Sequence, residues 1–420
     1  MTKKVFKNSF IFVLGDILNK AVPLFMLPVL TRYLTPEDYG IISIFTVFVS
    51  ILAVFTGLSV HGAINVNFFK LTKKELQVYI GNTLIILNIS TLVVFIFVFL
   101  FSSYILEEIH LPEGWLYVAV ILAFSQFLTV INLVLWTAEQ KPKEYSIYQF
   151  SQTVITTSLS LILVVGFGMK WEGQLLAITS ATILFSAISF IFIVKRGYLV
   201  FKPNKTYIKD ALRFGIPLVP HSLAGWIGTS VDRMMIMSFF GSYATGLYTV
   251  GYQLGTIISV LTVAFNKAWT PYLMRILAEK PTLKNKKTLV YYTYIYFIAI
   301  IVITFIFSYL AQLAIPYFLD SSYTGSIEYI LYIALSFAFN GMYFMVVNYI
   351  FYVNKTHILA FITFGVALFH MLILYILLKV NGTVGAAQAM MFASFISFLA
   401  TWWFSNKVYK MPWNVWKSDV

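Results

Sequence analysis

The amino-acid sequence predicts an all-α polytopic membrane protein, with twelve transmembrane helices in two six-helix bundles related by a pseudo-two-fold axis along the membrane normal. Three observations predict this fold. Of the 420 residues, 60% are hydrophobic and only 11% are charged, and the mean hydropathy is +0.84, a balance that soluble domains do not have. Basic residues gather at alternate ends of successive apolar windows. The second half of the chain also aligns with the first.

Twelve windows of mainly apolar residues are each long enough to cross a hydrocarbon core of about 30 Å. Each is predicted to be a helix, because an open strand cannot satisfy its backbone hydrogen bonds in lipid. The first is predicted to be an uncleaved span, since Asp16 and Lys20 interrupt its apolar run and no small-residue cleavage site follows. The windows are residues 9–33, 40–62, 78–102, 115–138, 146–168, 174–194, 211–240, 244–268, 289–314, 327–350, 358–378 and 384–405.

The distribution of Lys and Arg predicts the orientation. With the amino terminus placed in the cytoplasm, 22 of the 29 Lys and Arg residues fall in cytoplasmic segments, three fall outside and four lie within spans or at their edges. An excess of Lys and Arg in cytoplasmic loops is the general rule for such proteins. Both termini are therefore expected in the cytoplasm. The same rule explains the formal charge of +13, so no nucleic-acid partner is expected.

The basic connector at residues 195–209 divides the spans six and six, which predicts bundles at residues 1–200 and 201–420. An offset of 206 places Gly40 on Gly246 and His61 on Lys267. Later in each half, KWEGQLLA (170–177) lies over KVNGTVGA (379–386). Because six is even, the two halves share one orientation. Transporters built from such parallel repeats place the substrate path between the halves, and that is the expectation here.

The charged residues inside the predicted spans must face an environment other than lipid. Asp16 and Lys20 are four residues apart and share one helix face, while Asp232 and Arg233 lie in the seventh span with His221. Facing lipid, these two acids and two bases would together cost about 10–14 kcal/mol. We therefore expect a water-filled cavity lined by spans 1 and 7. The alternatives are an intrahelical Asp16–Lys20 pair and an Asp232–Arg233 tie between helix ends.

Several further residues are assigned by their position. Trp226 lies on the same face of the seventh span as Arg233, and we therefore expect it to line the cavity. His61 and Lys267 lie close to the inner interface, so they either line the cavity or extend towards the headgroups. His370 stands alone in the eleventh span and is expected to be a hydrogen-bonded packing residue.

Nothing in the sequence indicates catalysis or a resident cofactor. There is no H-E-x-x-H, Walker A or D-x-D motif, and the absence of Cys excludes disulfides, thiolate metal sites and cysteine nucleophiles. The predicted outer loops are too short to hold an active site for lipid-linked sugars. The expectation is a protein that is not an enzyme and has no catalytic or metal-binding residues.

Four segments resemble the Wzx-type polysaccharide biosynthesis flippases of the multidrug/oligosaccharidyl-lipid/polysaccharide exporter superfamily. The resemblance is concentrated in spans 1–2 and 7–8, and the span count and duplication extend it across the chain. The segments are LTRYLTPEDYG (30–40), FGIPLVPHSLAGWIGTSVDR (214–233), GLYTVGYQLG (246–255) and AFNKAWTPYL (264–273).

The resemblance implies a protein of the bacterial inner membrane that moves undecaprenyl-diphosphate-linked oligosaccharide units to the outer leaflet, for O-antigen, capsule or similar polymers. It also implies association with a polysaccharide polymerase and glycosyltransferases. A diphosphate needs cationic partners in a low-dielectric cavity. The expected substrate-binding residues are Lys20, Arg233, Lys267, His61 and Trp226.

The same resemblance leaves the energy source open. Asp16, Asp232 and His221 are the expected coupling or gating residues, with H⁺ or Na⁺ as the coupling ion and no other cofactor. Four alternative functions remain. They are a multidrug or cation antiporter of the same superfamily, a lipid II flippase, an integral membrane enzyme acting on lipid-linked sugars and a non-transporting scaffold.

Overall fold

Long apolar runs form the helices of the chain. The computed structural model describes residues 2–109, 111–279, 281–353, 355 and 357–414, and within these the side chains of residues 2–10, 12, 13, 16 and 108 lie outside the description. The described residues form helices and contain no strand, which confirms the predicted all-α class. The helices are α1 (Thr2–Leu30), α2 (Pro36–Gly57), α3 (His61–Asn67), α4 (Lys73–Leu100), α5 (Ser102–Ile109), α6 (Glu113–Ala138), α7 (Pro142–Ser160), α8 (Lys170–Lys195), α9 (Lys205–Gly215), α10 (Val219–Ala278), α11 (Leu283–Phe318), α12 (Ile327–Tyr352), α13 (His357–Asn381) and α14 (Val384–Val408).

Ten helical segments among the described residues are long and apolar enough to cross a membrane, which makes the chain a multi-pass membrane protein. One of them, Lys205–Ala278, has 74 residues and far exceeds the roughly 20 that a single crossing needs. It is broken at Gly241, whose φ of 77° is a conformation that glycine adopts most readily. The first helix contributes the shorter apolar segment Ile17–Leu30. These observations are compatible with twelve spans, and the exact number stays a prediction.

Capping boxes fix the starts of two membrane helices. At α2, the Thr35 hydroxyl accepts from the Asp38 backbone N–H, and Asp38 Oδ2 accepts from the Thr35 N–H at 2.8 Å. Thr72 and Glu75 repeat this arrangement at α4, also at 2.8 Å. Such reciprocal caps satisfy two backbone donors that a helix start leaves free. Asp38 is therefore a structural acid, and the segment LTPEDYG owes part of its pattern to helix initiation.

A cluster of charged and aromatic side chains ties α6 to α8 at one end. The guanidinium of Arg196 lies 3.0 Å from the carboxylate of Glu139 and donates to Asn132 Oδ1 at 2.8 Å. Burial would raise the pKa of Glu139, but hydrogen bonds from Tyr198, Lys141 and Arg196 outweigh that effect and hold the pKa below its usual value. Glu139 therefore stays ionised here and fixes the position of Arg196.

The chain divides into two compact units, and helix α10 contributes segments to both of them. The first comprises Met1–Trp226 and Arg233–Gly246, and the second comprises Ile227–Asp232 and Leu247–Val420. Each has its own apolar core. The first core includes Ile64, Ile80, Leu87 and Ile131, and the second includes Ile258, Leu273, Val290 and Val346. The predicted six-helix bundles at residues 1–200 and 201–420 stay a prediction.

Two glycines aligned by the internal repeat make reciprocal close approaches within the first unit. A Cβ placed on Gly40 would collide with the backbone carbonyl of Ser242, and one on Gly246 would collide with that of Pro36. The offset of 206 that pairs the two glycines also pairs Pro36 with Ser242. Gly40 therefore approaches Ser242, and Gly246 approaches Pro36, which is the residue that the repeat aligns with Ser242. A pair of repeats around a two-fold axis would produce such reciprocity, and the duplication itself stays a prediction.

Candidate functional site

The second unit contains a buried acid paired with a buried histidine. Asp232 Oδ1 lies 3.0 Å from His370 Nε2, and Asp232 Oδ2 accepts a hydrogen bond from the Tyr248 hydroxyl at 3.0 Å. Asp232 and His370 are each 1% exposed, and Tyr248 is fully buried. Three titratable side chains therefore meet in the interior of a helical, membrane-spanning unit.

Three helical segments hold this cluster in place. Asp232 lies in the part of α10 before the break at Gly241, and Tyr248 lies in the part after it. The break therefore allows Tyr248 to reach Asp232. His370 lies on α13. Tyr329 of α12 packs edge-to-face on Tyr248, with ring centroids 5.6 Å apart. The cluster thus rests against helices from several parts of the second unit.

The chemistry of the cluster follows from its burial. A carboxylate removed from water is strongly disfavoured unless it is paired and hydrogen-bonded. Asp232 has both forms of support, from His370 and from Tyr248. The carboxylate of Asp232 and the imidazole of His370 can each carry a proton, and they lie 3.0 Å apart. The arrangement can therefore hold, exchange or release a proton inside the membrane-spanning unit.

A small polar pocket lies within the first unit. Its volume is about 240 Å³, and it opens between α2, α6 and the start of α10. The hydroxyls of Ser59 and Ser222 are 3.2 Å apart at its wall. Its polar lining residues are Ser50, Ser59, His61, Gln126 and Ser222. Hydroxyl, amide and imidazole groups of this kind are suited to hydrogen-bonding a polar ligand.

Aromatic side chains border the same pocket. The indole Nε1–H of Trp226 donates to Ser50 Oγ at 3.0 Å, which fixes the ring beside α2. Phe127 lines the pocket and meets the His61 ring edge-to-face, with centroids 5.8 Å apart. The structure therefore places two of the predicted substrate-binding residues, His61 and Trp226, at or beside one pocket.

The other predicted site residues lie elsewhere on the helices. Lys20 is exposed on α1, and Arg233 and Lys267 are half-buried on α10. His221 is also exposed on α10, and the eleven residues to Asp232 correspond to a rise of about 16 Å. The side chain of Asp16 lies outside the described residues. The substrate and coupling roles of these residues stay predictions.

Sequence reasoning did not identify the partner of Asp232. It expected His370 to be a hydrogen-bonded packing residue, and the structure gives it an acidic partner from another helix. A usable signal was present, because the seventh span holds one acid and the eleventh one histidine, and each needs a partner in an apolar surrounding.

Two asparagines join neighbouring helices. Asn132 on α6 is fully buried and donates to Ser189 Oγ of α8 at 3.3 Å. Asn348 on α12 donates to Thr270 Oγ1 of α10 at 3.2 Å. Such bonds are common between membrane helices. Gln126 differs from them, because it lines the polar pocket. Within the described residues, no group of three or more His, Asp or Glu side chains is placed to hold a metal ion.

Comparison with known proteins shows a family match over most of the chain. A family model described as "Polysaccharide biosynthesis protein" matches residues 5–277. The chain is 27% identical over 362 residues to the Lsg locus putative protein 1 of Haemophilus influenzae, which covers 85% of this chain and 87% of that protein. It is also 24% identical over 288 residues to the capsular polysaccharide biosynthesis protein CapF of Staphylococcus aureus, covering 67% of this chain and 69% of CapF.

Solved structures with a similar fold are transport proteins. An inward-facing multidrug resistance MATE family transporter of the MOP superfamily aligns with a TM-score of 0.74 at 14% identity, covering 93% of this chain and 97% of that one. The lipid II flippase MurJ, in an inward closed conformation, aligns with a TM-score of 0.71 at 14% identity, covering 97% and 89%. At these identities the likeness shows a shared fold.

Proposed function

Because the chain belongs to the polysaccharide biosynthesis protein family, we propose that it is a flippase that carries undecaprenyl-diphosphate-linked oligosaccharide units across the bacterial inner membrane by alternating access. The family match over residues 5–277 carries this proposal and confirms the resemblance predicted from the motifs. The product would serve O-antigen, capsule or related polysaccharide assembly. Support comes from the relative CapF, which is named for capsular polysaccharide biosynthesis, and from the fold shared with a lipid II flippase.

The proposed place of action follows from charge and family together. The many membrane-length helices make the protein multi-pass. The positive-inside distribution supports cytoplasmic termini, and the family supports the inner membrane. A polysaccharide polymerase and glycosyltransferases are the proposed partners, because they consume and supply the lipid-linked sugar that this protein would move.

The polar pocket of the first unit supports a sugar-binding role. Gln126, Ser59 and Ser222 offer hydrogen-bond donors and acceptors, and Trp226 offers an aromatic surface beside them. Lys20, Arg233 and Lys267 are the proposed ligands of the diphosphate, since ammonium and guanidinium groups pair with phosphate oxygens. The polyprenyl tail would remain in lipid while the headgroup crosses.

The Asp232–His370 pair is the proposed coupling element. A proton on Asp232 removes the charge that attracts His370, whereas a proton on His370 strengthens the attraction, so the packing of α10 against α13 depends on protonation. Tyr248 donates to Asp232 and packs on Tyr329, and Arg233 follows Asp232 in the sequence. Differential protonation of two conformations is what allows an ion gradient to drive a transport cycle.

Transport in liposomes tests the proposal. Wild-type protein is reconstituted with labelled undecaprenyl-diphosphate oligosaccharide, and the arrival of label in the opposite leaflet is followed with and without a pH gradient. We expect movement, its acceleration by the gradient, and loss of that acceleration in Asp232→Asn. Glu328→Gln makes the same acid-to-amide change at an exposed position on α12 and should keep the acceleration. Lys20→Ala and Arg233→Ala should slow movement under all conditions.

A cation antiporter is the second candidate function. The buried acid Asp232 and the fold shared with a multidrug transporter favour it. It predicts that no lipid-linked sugar moves in the same vesicles, while a small organic cation leaves them in exchange for protons. That result would reject the flippase proposal.

A further inference from the structure

The first unit carries an apolar groove that neither the proposed substrate site nor the coupling pair uses. The groove has a volume of about 770 Å³ and lies between α2 and α4, with α9 and α5 also contributing to its wall. Ile89, Val93 and Phe97 stand exposed along one side of it, spaced four residues apart on α4. Helix α4 therefore presents a continuous apolar stripe to whatever fills the groove.

The lining offers nothing for a polar ligand. Its one hydroxyl group belongs to Ser90, which donates to the backbone carbonyls of Thr56 and Ile86. Water needs several polar partners to occupy a cavity, and an apolar cavity stays dry or accepts apolar molecules. A hydrocarbon chain is the chemistry that fits.

Helix α9 gives the groove one charged end. Ile208 and Leu212 of α9 line the groove, and Lys205 and Lys209 precede them by three residues each. Residues three apart are neighbours on a helix surface, so two exposed ammonium groups lie next to the groove-lining side of the helix. The acid Asp210 faces away from this stripe and accepts from Asn67 and from the Tyr79 hydroxyl.

We propose that this groove binds one acyl chain of an anionic phospholipid, whose phosphate lies against Lys205 and Lys209. The groove extends along α4 from Ile85 to Phe97, a rise of about 18 Å. That length is close to one leaflet of a core about 30 Å thick, so an ordinary acyl chain suits it. Amphipathic surface helices with basic residues bind anionic lipid in this way. The site would be a structural or regulatory lipid site, separate from the transported substrate.

Quenching of a fluorophore by brominated lipids tests the proposal. The chain has no Cys, so a single Ile89→Cys can be labelled at the rim of the groove. The labelled protein is placed in vesicles of phosphatidylcholine that contain acyl-brominated phosphatidylglycerol or acyl-brominated phosphatidylcholine. We expect phosphatidylglycerol to associate about three-fold or more tightly at this position, and Lys205→Gln with Lys209→Gln to abolish the preference.

Matched controls separate a specific site from ordinary lipid contact. Ile298→Cys on α11 is a similarly exposed isoleucine, at 67% against 60% for Ile89, and should show no headgroup preference. Lys284→Gln with Lys410→Gln removes the same charge from exposed positions elsewhere and should leave the preference intact. The elution profile of each variant in detergent verifies that it is folded.

Three results would overturn the proposal. Equal association of both lipids at residue 89 would mean that only annular lipid touches the groove. Relief of quenching by about one undecaprenyl phosphate per protein would assign the groove to a polyprenyl chain. Quenching at residue 298 but not at 89 would mean that protein covers the groove. The test measures lipid contact and not transport, so its outcome does not depend on the proposed function.

Discussion

Asp232 is the residue whose environment most constrains the function of this protein. Its side chain is 1% exposed, and its two oxygens are occupied by His370 and Tyr248. Such a cluster contributes little to stability compared with an apolar core of the same volume. Its presence in a membrane-spanning unit is the observation on which the proposed coupling role rests, since ionisable residues within membrane spans usually mark ion pathways.

A double-mutant cycle tests whether the two groups act as a pair. His370→Leu alone should lower the free energy of unfolding by about 3–5 kcal/mol, because it leaves Asp232 buried without its partner. Asp232→Leu should also be destabilising. The double substitution should be less destabilising than the sum, by at least about 1 kcal/mol, because no unpaired group remains. Denaturant unfolding in detergent gives the four values, and strict additivity would argue against a functional pair.

The sequence indicates that Asp232 and His370 each need a partner, but it does not show that they pair with each other, because they lie far apart in the chain. Nothing in the local pattern of the seventh span says which helix will meet Asp232, and His370 has no acid near it in sequence. His61 lines the polar pocket and Trp226 donates to Ser50 at its wall, and their role in substrate binding stays a prediction. Lys20 is exposed, and Arg233 and Lys267 are half-buried, and their role in substrate binding stays a prediction.

At the scale of elements, hydropathy predicts helices well and their ends poorly. The window at 327–350 agrees closely with α12. The window at 211–240, in contrast, begins inside α9, which ends at Gly215 before Pro217 and the start of α10. A sliding window responds to apolar content, and so it cannot detect that Pro217 lies between the end of α9 and the start of α10.

The close approach of α2 to residues 242–246 gives a prediction about packing within the first unit. Gly40→Ala and Gly246→Ala should each lower stability by roughly 1–3 kcal/mol or more, because the new methyl group would meet backbone that cannot move aside cheaply. The two effects should be similar, because the contacts are reciprocal. Thermal unfolding of the detergent-solubilised variants measures both.

Two other helical glycines serve as controls for this packing prediction. A Cβ at Gly228 or Gly365 has no neighbour within 4 Å. Alanine there should be neutral or should stabilise the helix by up to about 1 kcal/mol. Losses at these positions as large as those at Gly40 would show that the cost is not a matter of close packing.

At the scale of the whole molecule, the distribution of charge and the order of the helices together predict on which side of the membrane each lysine lies. Lys73 and Lys284 begin α4 and α11 or lie near their starts, on the side that the positive-inside rule assigns to the cytoplasm. Lys170 begins α8 and Lys379 lies near the end of α13, on the opposite side. These four positions sample both halves of the chain. They therefore test the span count and the shared orientation of the halves together.

Cysteine labelling in intact cells makes this test directly, because the natural chain contains no Cys. A membrane-impermeant maleimide should react with Lys170→Cys and Lys379→Cys from outside, and with Lys73→Cys and Lys284→Cys only after the cells are opened. External labelling at Lys284 would mean an odd number of crossings between Lys73 and that position. The halves would then be inverted relative to each other, and a parallel repeat would be wrong. Labelling as expected would support two parallel halves, the arrangement that the proposed alternating-access mechanism needs.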